Sequence, residues 1–117
     1  MSSMEAAAME SGIDYGEEFR PQREVKVIKK DGSLEAFNVQ KVIDAVGKSA
    51  YRALTKFTEE EKQHICQYVV DKVTELEQDE IPIPIMHNIV ESALENVKPI
   101  VAKSYRDYRN YKQDFVR

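Results

Sequence analysis

The sequence has one cysteine, Cys66, and no tryptophan. A lone cysteine excludes an intramolecular disulfide and leaves no cysteine cluster for a structural zinc site, and it fits a reducing, cytoplasmic setting. No apolar run approaches the roughly 20 residues that a bilayer-crossing helix needs. Met1 to Gly16 is small, polar and acidic, unlike a leader peptide with an apolar centre. There are two histidines, His64 and His87, too far apart in sequence to suggest metal ligands. No Ser/His/Asp grouping, no Gly-x-Ser-x-Gly and no Gly-x-x-x-x-Gly-Lys-Ser/Thr phosphate loop occurs. Cys66 has no evident activating partner and reads as a small apolar filler. The chain alone is therefore not expected to be an enzyme.

What is present suits one small domain. The chain has 117 residues, 42% of them apolar and 32% charged, enough for a single core under a well-solvated surface. The net charge of −4 is unevenly spread. Residues 1–19 carry five acids and no base, and residues 20–41 carry six bases against three acids. Residues 42–97 carry five bases and eleven acids, and residues 98–117 six bases and two acids. Two basic segments thus flank an acidic middle. Brought together they would form a local cationic site suited to a compact polyanion such as a nucleotide. A long nucleic acid would be repelled by the rest of the surface. Scattered surface lysines are the plain alternative.

Hydropathy patterning predicts the elements. Residues 1–23 have no sustained period and read as a flexible or loosely docked arm, followed by a domain over 24–114 and a short tail or linker at 115–117. Val25, Val27 and Ile28 are β-branched, and Asp31-Gly32 separates them from Leu34 to Phe37. This predicts a β-hairpin, 25–30 with 34–38, closed by a type I′ turn. Neither of its faces is cleanly apolar, since Lys29 shares a side with Val27 and Glu35 shares one with Phe37. Asn38 reads as a helix N-cap, and Val39, Val42, Ile43, Val46 and Ala50 predict a helix over 39–54. Thr58 to Glu61 is a capping box opening a helix over 58–78, with Ile65, Val69, Val73 and Leu76 inward. Ile81-Pro-Ile-Pro84 is extended. A third helix over 85–96 presents Ile85, Ile89, Ala93 and Leu94, and a fourth covers 99–113. The fold class is α+β: a four-helix bundle capped by a β-hairpin or small three-stranded sheet.

Three groups of residues could carry chemistry. The hairpin tip sets Lys29 and Lys30 beside tight-turn amides, with Lys41 in the first turn of the following helix, where free N–H groups also attract anions. Val27 and Val42 could wall a base or sugar; an ordinary charged hairpin is the alternative. Tyr105, Tyr108 and Lys112 fall on one helical face, where a ring beside a cation could stack a purine or simply edge the core. His87 could donate to a phosphate or ribose, or be an ordinary partly buried histidine.

Taken in order, Val27-x-Lys-Lys-Asp-Gly-Ser33, Glu35-x-Phe37, Lys41-Val42-x-x-Ala45, Ile83-x-x-x-His87-x-x-Val90-Glu91 and Val101-Ala-Lys-x-Tyr105-x-x-Tyr108-Arg109 resemble the ATP-cone domain. The resemblance runs from about Glu24 to Asp114. It implies an allosteric module, usually at the N-terminus of a ribonucleotide reductase, that binds ATP as activator or dATP as inhibitor, with Mg2+ as the counter-ion. Occupancy often changes the oligomeric state of such modules. The resemblance assigns Val27, Lys29, Lys30, Glu35, Lys41 and Val42 to the nucleotide pocket, His87 to the phosphate or sugar side, Tyr108 to stacking and Lys112 to the phosphates. Lys30 stands where arginine is common, and Ile83 where some members place a hydroxyl.

The expected partners are adenine nucleotides and the remainder of a reductase or its other subunit, with no membrane and no nucleic acid. Because the chain ends soon after the Tyr-Arg-x-Tyr-Lys segment, the expectation is a regulatory domain cut from a larger enzyme, or a truncated relative. Two other readings remain. One is the cone of a transcriptional repressor of reductase genes, although no Cys-x-x-Cys precedes Glu24. The other is a helical protein-interaction module with a degenerate nucleotide site.

Overall fold

The computed structural model describes residues 14–116, with side chains described for residues 14–107. Among the described residues, five helices and three short strands follow one another as α1 (Tyr15–Glu18), β1 (Lys26–Ile28), β2 (Leu34–Ala36), α2 (Val39–Arg52), α3 (Glu59–Leu76), β3 (Glu80–Pro82), α4 (Ile83–Val97) and α5 (Pro99–Val116). The strands form one sheet in the order β2-β1-β3, with β1 antiparallel to β2 and parallel to β3. Each of the four longer helices packs on two of the others, α2 on α3 and α5, α4 on α3 and α5. The class is the α+β arrangement expected from the pattern. Among the described residues no helix is long and apolar enough to cross a membrane.

The core is the sum of the helical stripes and one strand position. Val39, Val46, Ile65, Val69, Val73, Ile81, Leu94 and Val101 are fully buried. On α2 and α3 the inward residues are those the 3.6-residue period selects, though Val42 and Leu76 are only partly buried. On α4 Ala93 and Leu94 are inward as the pattern predicts, but the first two turns are rotated by about one position. Met86, Val90, Ala93 and Leu94 are buried, whereas Ile85 and Ile89 are only partly so. The stretch 81–90 is apolar at most positions, so its period alone does not fix which stripe points in. Helix α4 also begins at Ile83 rather than 85, with Pro82 as N-cap and Pro84 within the first turn, where a missing N–H costs nothing.

The capping box expected at Thr58 is complete. Glu61 N–H donates to Thr58 Oγ1 at 3.1 Å, and Thr58 N–H donates to Glu61 Oε1 at 2.9 Å. Lys98 Nζ adds a bond to Glu61 Oε2 at 3.1 Å, tying the start of α3 to the α4–α5 turn. The Thr58 amide first, and Lys98 second, hold the Glu61 carboxyl below its ordinary value. A carboxyl depressed on folding adds stability above its unfolded pKa and loses it as pH falls through the folded value. Glu61→Gln keeps the box but not the charge. Its stability should fall less steeply below the reference pKa of 4.5 than the wild type's. Identical acid limbs in urea unfolding would show that the Glu61 charge is not coupled to folding.

The hairpin turn also departs from the sequence reading. The turn at Asp31-Gly32 is not type I′: only Gly32 has positive φ, at 88°. Gly32 N–H donates to Lys29 O at 2.9 Å and Lys29 N–H to Ser33 O at 2.8 Å, so the loop has three residues and Gly32 takes the left-handed bulge position. The Asp31 carboxylate turns onto the Ser33 N–H and hydroxyl, at 3.0 and 2.7 Å, which favours this longer loop.

The segment read as a flexible or loosely docked arm over 1–23 packs on the domain in its described part. Tyr15 is 5% exposed, donates its hydroxyl to both oxygens of Glu59 at 2.8 and 2.9 Å, and stacks on Phe19. Arg23 donates to the carbonyls of Gln78 (2.7 Å), Val73 and Thr74, covering the C-terminus of α3 with a cation.

Gly47 lies exposed in the middle of α2, and a Cβ there would meet nothing within 4 Å. Gly47→Ala should therefore stabilise by about 1 kcal/mol, the helix-propensity difference between the two residues. An unchanged or lower melting temperature would mean that α2 needs a bare backbone at that point.

Candidate functional site

The hairpin's mixed face is where the site lies. Val27 is registered opposite Glu35 on β2 and beside Ile81 on β3. Cross-strand partners share a face, as do residues two apart, so Val25, Val27, Lys29, Glu35 and Phe37 line one side. The apolar members of this side turn onto the core. Val25 is buried, and Val27 and Phe37 pack against it. The polar members continue the same face beyond the core. A pattern that breaks clean alternation here places charge next to an apolar floor.

Glu35 is the centre of the charged group. One of its carboxylate oxygens lies 3.5 Å from Lys29 Nζ, and the other is ion-paired with Lys41. The two cations come from different elements, one from the end of β1 and one from the first turn of α2. A half-buried carboxylate thus holds two exposed lysines together. Val42, the next residue on α2, is partly buried against the core. This gathers Val27, Lys29, Glu35, Lys41 and Val42 at the junction of hairpin and helix. Lys30 is exposed at the tip and makes no ion pair among the described residues.

The backbone amides expected to help bind anions are largely engaged. At the tip, the Ser33, Gly32 and Lys29 N–H groups serve Asp31 and the turn itself. At α2, Gln40 N–H donates to Asn38 Oδ1 at 2.8 Å, and Lys41 N–H donates to Asn38 O at 3.0 Å. Attraction for an anion here rests on the lysine side chains and the helix dipole, not on these N–H groups.

A second group sits on α4 and α5. The His87 ring is edge-on to Tyr105, with centroids 6.1 Å apart and planes at 77°. Connectivity brings it to the sheet end of the molecule, because β3 pairs with β1 and runs directly into α4 at Ile83. Tyr108 and Lys112 lie on α5, but their side chains fall outside the described ones.

Sequence reasoning missed the contribution of α1. Tyr15 N–H donates to Gln40 Oε1 at 3.1 Å, and Gly16 lies against the Asn38 side chain, so close that a Cβ would be 2.2 Å from its Oδ1. Helix α1 therefore rests on the N-terminus of α2, one residue from Lys41. The available signal was Asp14 followed by Glu17, an N-cap pattern that the structure uses: Asp14 Oδ1 accepts from Glu17 N–H at 3.2 Å. Cys66 is fully buried, and burial pushes its thiol up to about 12, so it is no nucleophile. Among the described residues, no three or more His, Cys, Asp or Glu side chains group to hold a metal ion.

The family model described as the ATP cone domain matches residues 25–114. No curated protein sequence matches the chain. The matched span covers everything from β1 to the last turns of α5, the whole frame that carries the lysine pair. The chain belongs to the ATP-cone family, whose members are allosteric domains that bind ATP or dATP.

Proposed function

We propose that this chain is the nucleotide-sensing regulatory domain of a ribonucleotide reductase, and that it acts by binding, not by catalysis. The observation that carries the reading is the Lys29–Glu35–Lys41 group, which draws two cations from separate elements onto one carboxylate. Triphosphate oxygens replace Glu35 as the partner of the two lysines, with Lys30 and Lys112 as further cations and Mg2+ as counter-ion. Val27 and Val42 form the floor beneath the base or sugar. Tyr108 stacks on the base, and His87, held against Tyr105, faces the phosphate or ribose side.

A ligand shifts a conformational equilibrium only by its differential affinity for the two states. ATP and dATP differ by one hydroxyl, so opposite effects require that this hydroxyl change the geometry or the number of nucleotides bound. The moving part in this reading is the charged end of the hairpin, linked to α2 among the described residues by the Glu35–Lys41 ion pair. The partners are adenine nucleotides and the body or second subunit of the reductase, in a cytoplasmic setting. The test is calorimetric titration of ATP and dATP, each also in competition with the other, together with sedimentation velocity of each complex. Mutual competition with different stoichiometry or different sedimentation supports a sensing role. Indistinguishable complexes would remove it and leave a plain adenine-nucleotide binder.

A further inference from the structure

Helix α1 lies ahead of the residues, 25–114, that mark the chain as an ATP cone, so family membership does not account for its place on the domain. A helix of four residues is too short to persist in water by itself. Its order comes from what it touches. Tyr15 is bonded at both ends. Its N–H donates to Gln40 Oε1 on α2 at 3.1 Å, and its hydroxyl donates to Glu59, the first residue of α3. Gln40 Nε2 donates in turn to Asp44 Oδ1 at 3.1 Å, so the Gln40 side chain is held at both of its polar atoms. Gly16 covers the Asn38 side chain so closely that a Cβ would stand 2.2 Å from Oδ1, the atom that caps α2. The fit leaves no room for a side chain at Gly16.

These contacts fall on the turn that carries Lys41. That turn is closed by the Asn38 cap on Gln40 N–H and by Lys41 N–H donating to Asn38 O at 3.0 Å. A helix end is where local opening costs least, and the Lys41 side chain is ion-paired only with Glu35 among the described residues. With α1 in place, the first turn of α2 is covered at Asn38 and tied at Gln40. The same segment continues through Arg23, bonded to carbonyls at the other end of α3, into β1 and so to Lys29. One strap therefore reaches both elements that bring a cation to Glu35.

We propose that α1 is a latch on the nucleotide site: docked, it holds Lys41 in place for the phosphates, and a bound nucleotide in turn holds α1 down. The proposal rests on the reading of the Lys29–Glu35–Lys41 group as that site. Tyr15, Gly16 and Gln40 are positioning residues, acting through the first turn of α2. Coupling between two binding events is reciprocal, so the factor by which ATP favours docking equals the factor by which docking tightens ATP binding. Occupancy is thereby reported at the surface over α2 and α3, without rearrangement of the core.

The test is hydrogen exchange at the Tyr15, Glu17, Glu18 and Phe19 amides, whose bonds exist only while α1 is formed and docked. It is paired with calorimetric ATP affinity, both on the whole chain well below its melting temperature. ATP should slow exchange at these amides about fivefold or more. Tyr15→Phe removes only the bond to α3, an element that carries neither lysine, and Tyr15→Ala removes the buried ring as well. Both should speed the exchange and weaken ATP binding, the second by about fivefold or more. Glu59→Ala should act as Tyr15→Phe does, and Glu59→Gln, which keeps an acceptor, should restore docking. Val69→Ala, a fully buried truncation on α3, should lower the melting temperature but change neither ATP affinity nor α1 exchange, unlike the latch variants. Wild-type ATP affinity in Tyr15→Ala, α1 exchange that ATP leaves unchanged, or an equal loss of affinity in Val69→Ala would overturn the proposal while the nucleotide site stands. A wild-type chain that binds no ATP would overturn both.

Discussion

Lys41→Glu will abolish ATP binding while leaving the helical content unchanged, and Lys29→Glu will do the same. Each lysine pairs with a different carboxylate oxygen of Glu35. Removing one charge-assisted bond costs about 1.5–3 kcal/mol, or roughly 10- to 100-fold in affinity. Reversal goes further, because the new carboxylate joins Glu35 and faces the phosphates with two negative charges. Neither lysine is part of the core, and both side chains are more than half exposed, at 52% for Lys29 and 66% for Lys41. The fold should therefore survive, since surface substitutions away from special features move stability by about 0.5 kcal/mol or less. Calorimetry and circular dichroism on the same samples separate the two effects. Wild-type affinity in both variants would place the nucleotide elsewhere.

Ile81→Ala should produce a large loss of stability while leaving the lysines untouched. Ile81 is the middle residue of β3, pairs with Val27 and is fully buried. It joins the sheet to the helices at the point where α3 hands over to α4. An isoleucine-to-alanine truncation in a core costs about 2–5 kcal/mol, a large share of the roughly 5–15 kcal/mol that holds a domain together. For a domain of this size the melting temperature should fall by roughly 10–25 °C. Ile100→Ala, at an exposed position, is the control and should change little. ATP affinity should drop with Ile81→Ala as well, because β3 fixes β1 beneath Val27 and Lys29. A stable Ile81→Ala variant would mean that the sheet is not integral to the core.

These two residues also show what the sequence makes legible. Ile81 sits between acids and prolines, and its β-branched side chain before a proline already asks for an extended, buried position. The Lys29, Glu35 and Lys41 group is foreshadowed by the hairpin's failure to alternate cleanly. That Glu35 bridges the two lysines is a three-dimensional fact about register, which the spacing of the residues does not contain. The first half of the α4 stripe is not fixed by the sequence, because Ile83, Ile85, Met86 and Ile89 satisfy more than one helical face. Asp-Gly alone does not type the hairpin turn, because it serves both a two-residue and a three-residue loop. The Ser33 hydroxyl and N–H beside Asp31 decided between them. Tyr15 was hidden among acids, where a single aromatic gives no period. Its burial depends on Glu59, 44 residues away.

The most direct measurement is the melting temperature of the chain with ATP, dATP, GTP and no nucleotide, each with magnesium. A ligand at 100 times its dissociation constant stabilises by about 2.7 kcal/mol, which for a domain of this size raises the melting temperature by roughly 10 °C. The account predicts that rise with ATP and dATP, little with GTP, and none with ATP once Lys41 is glutamate. No rise with either adenine nucleotide would contradict it.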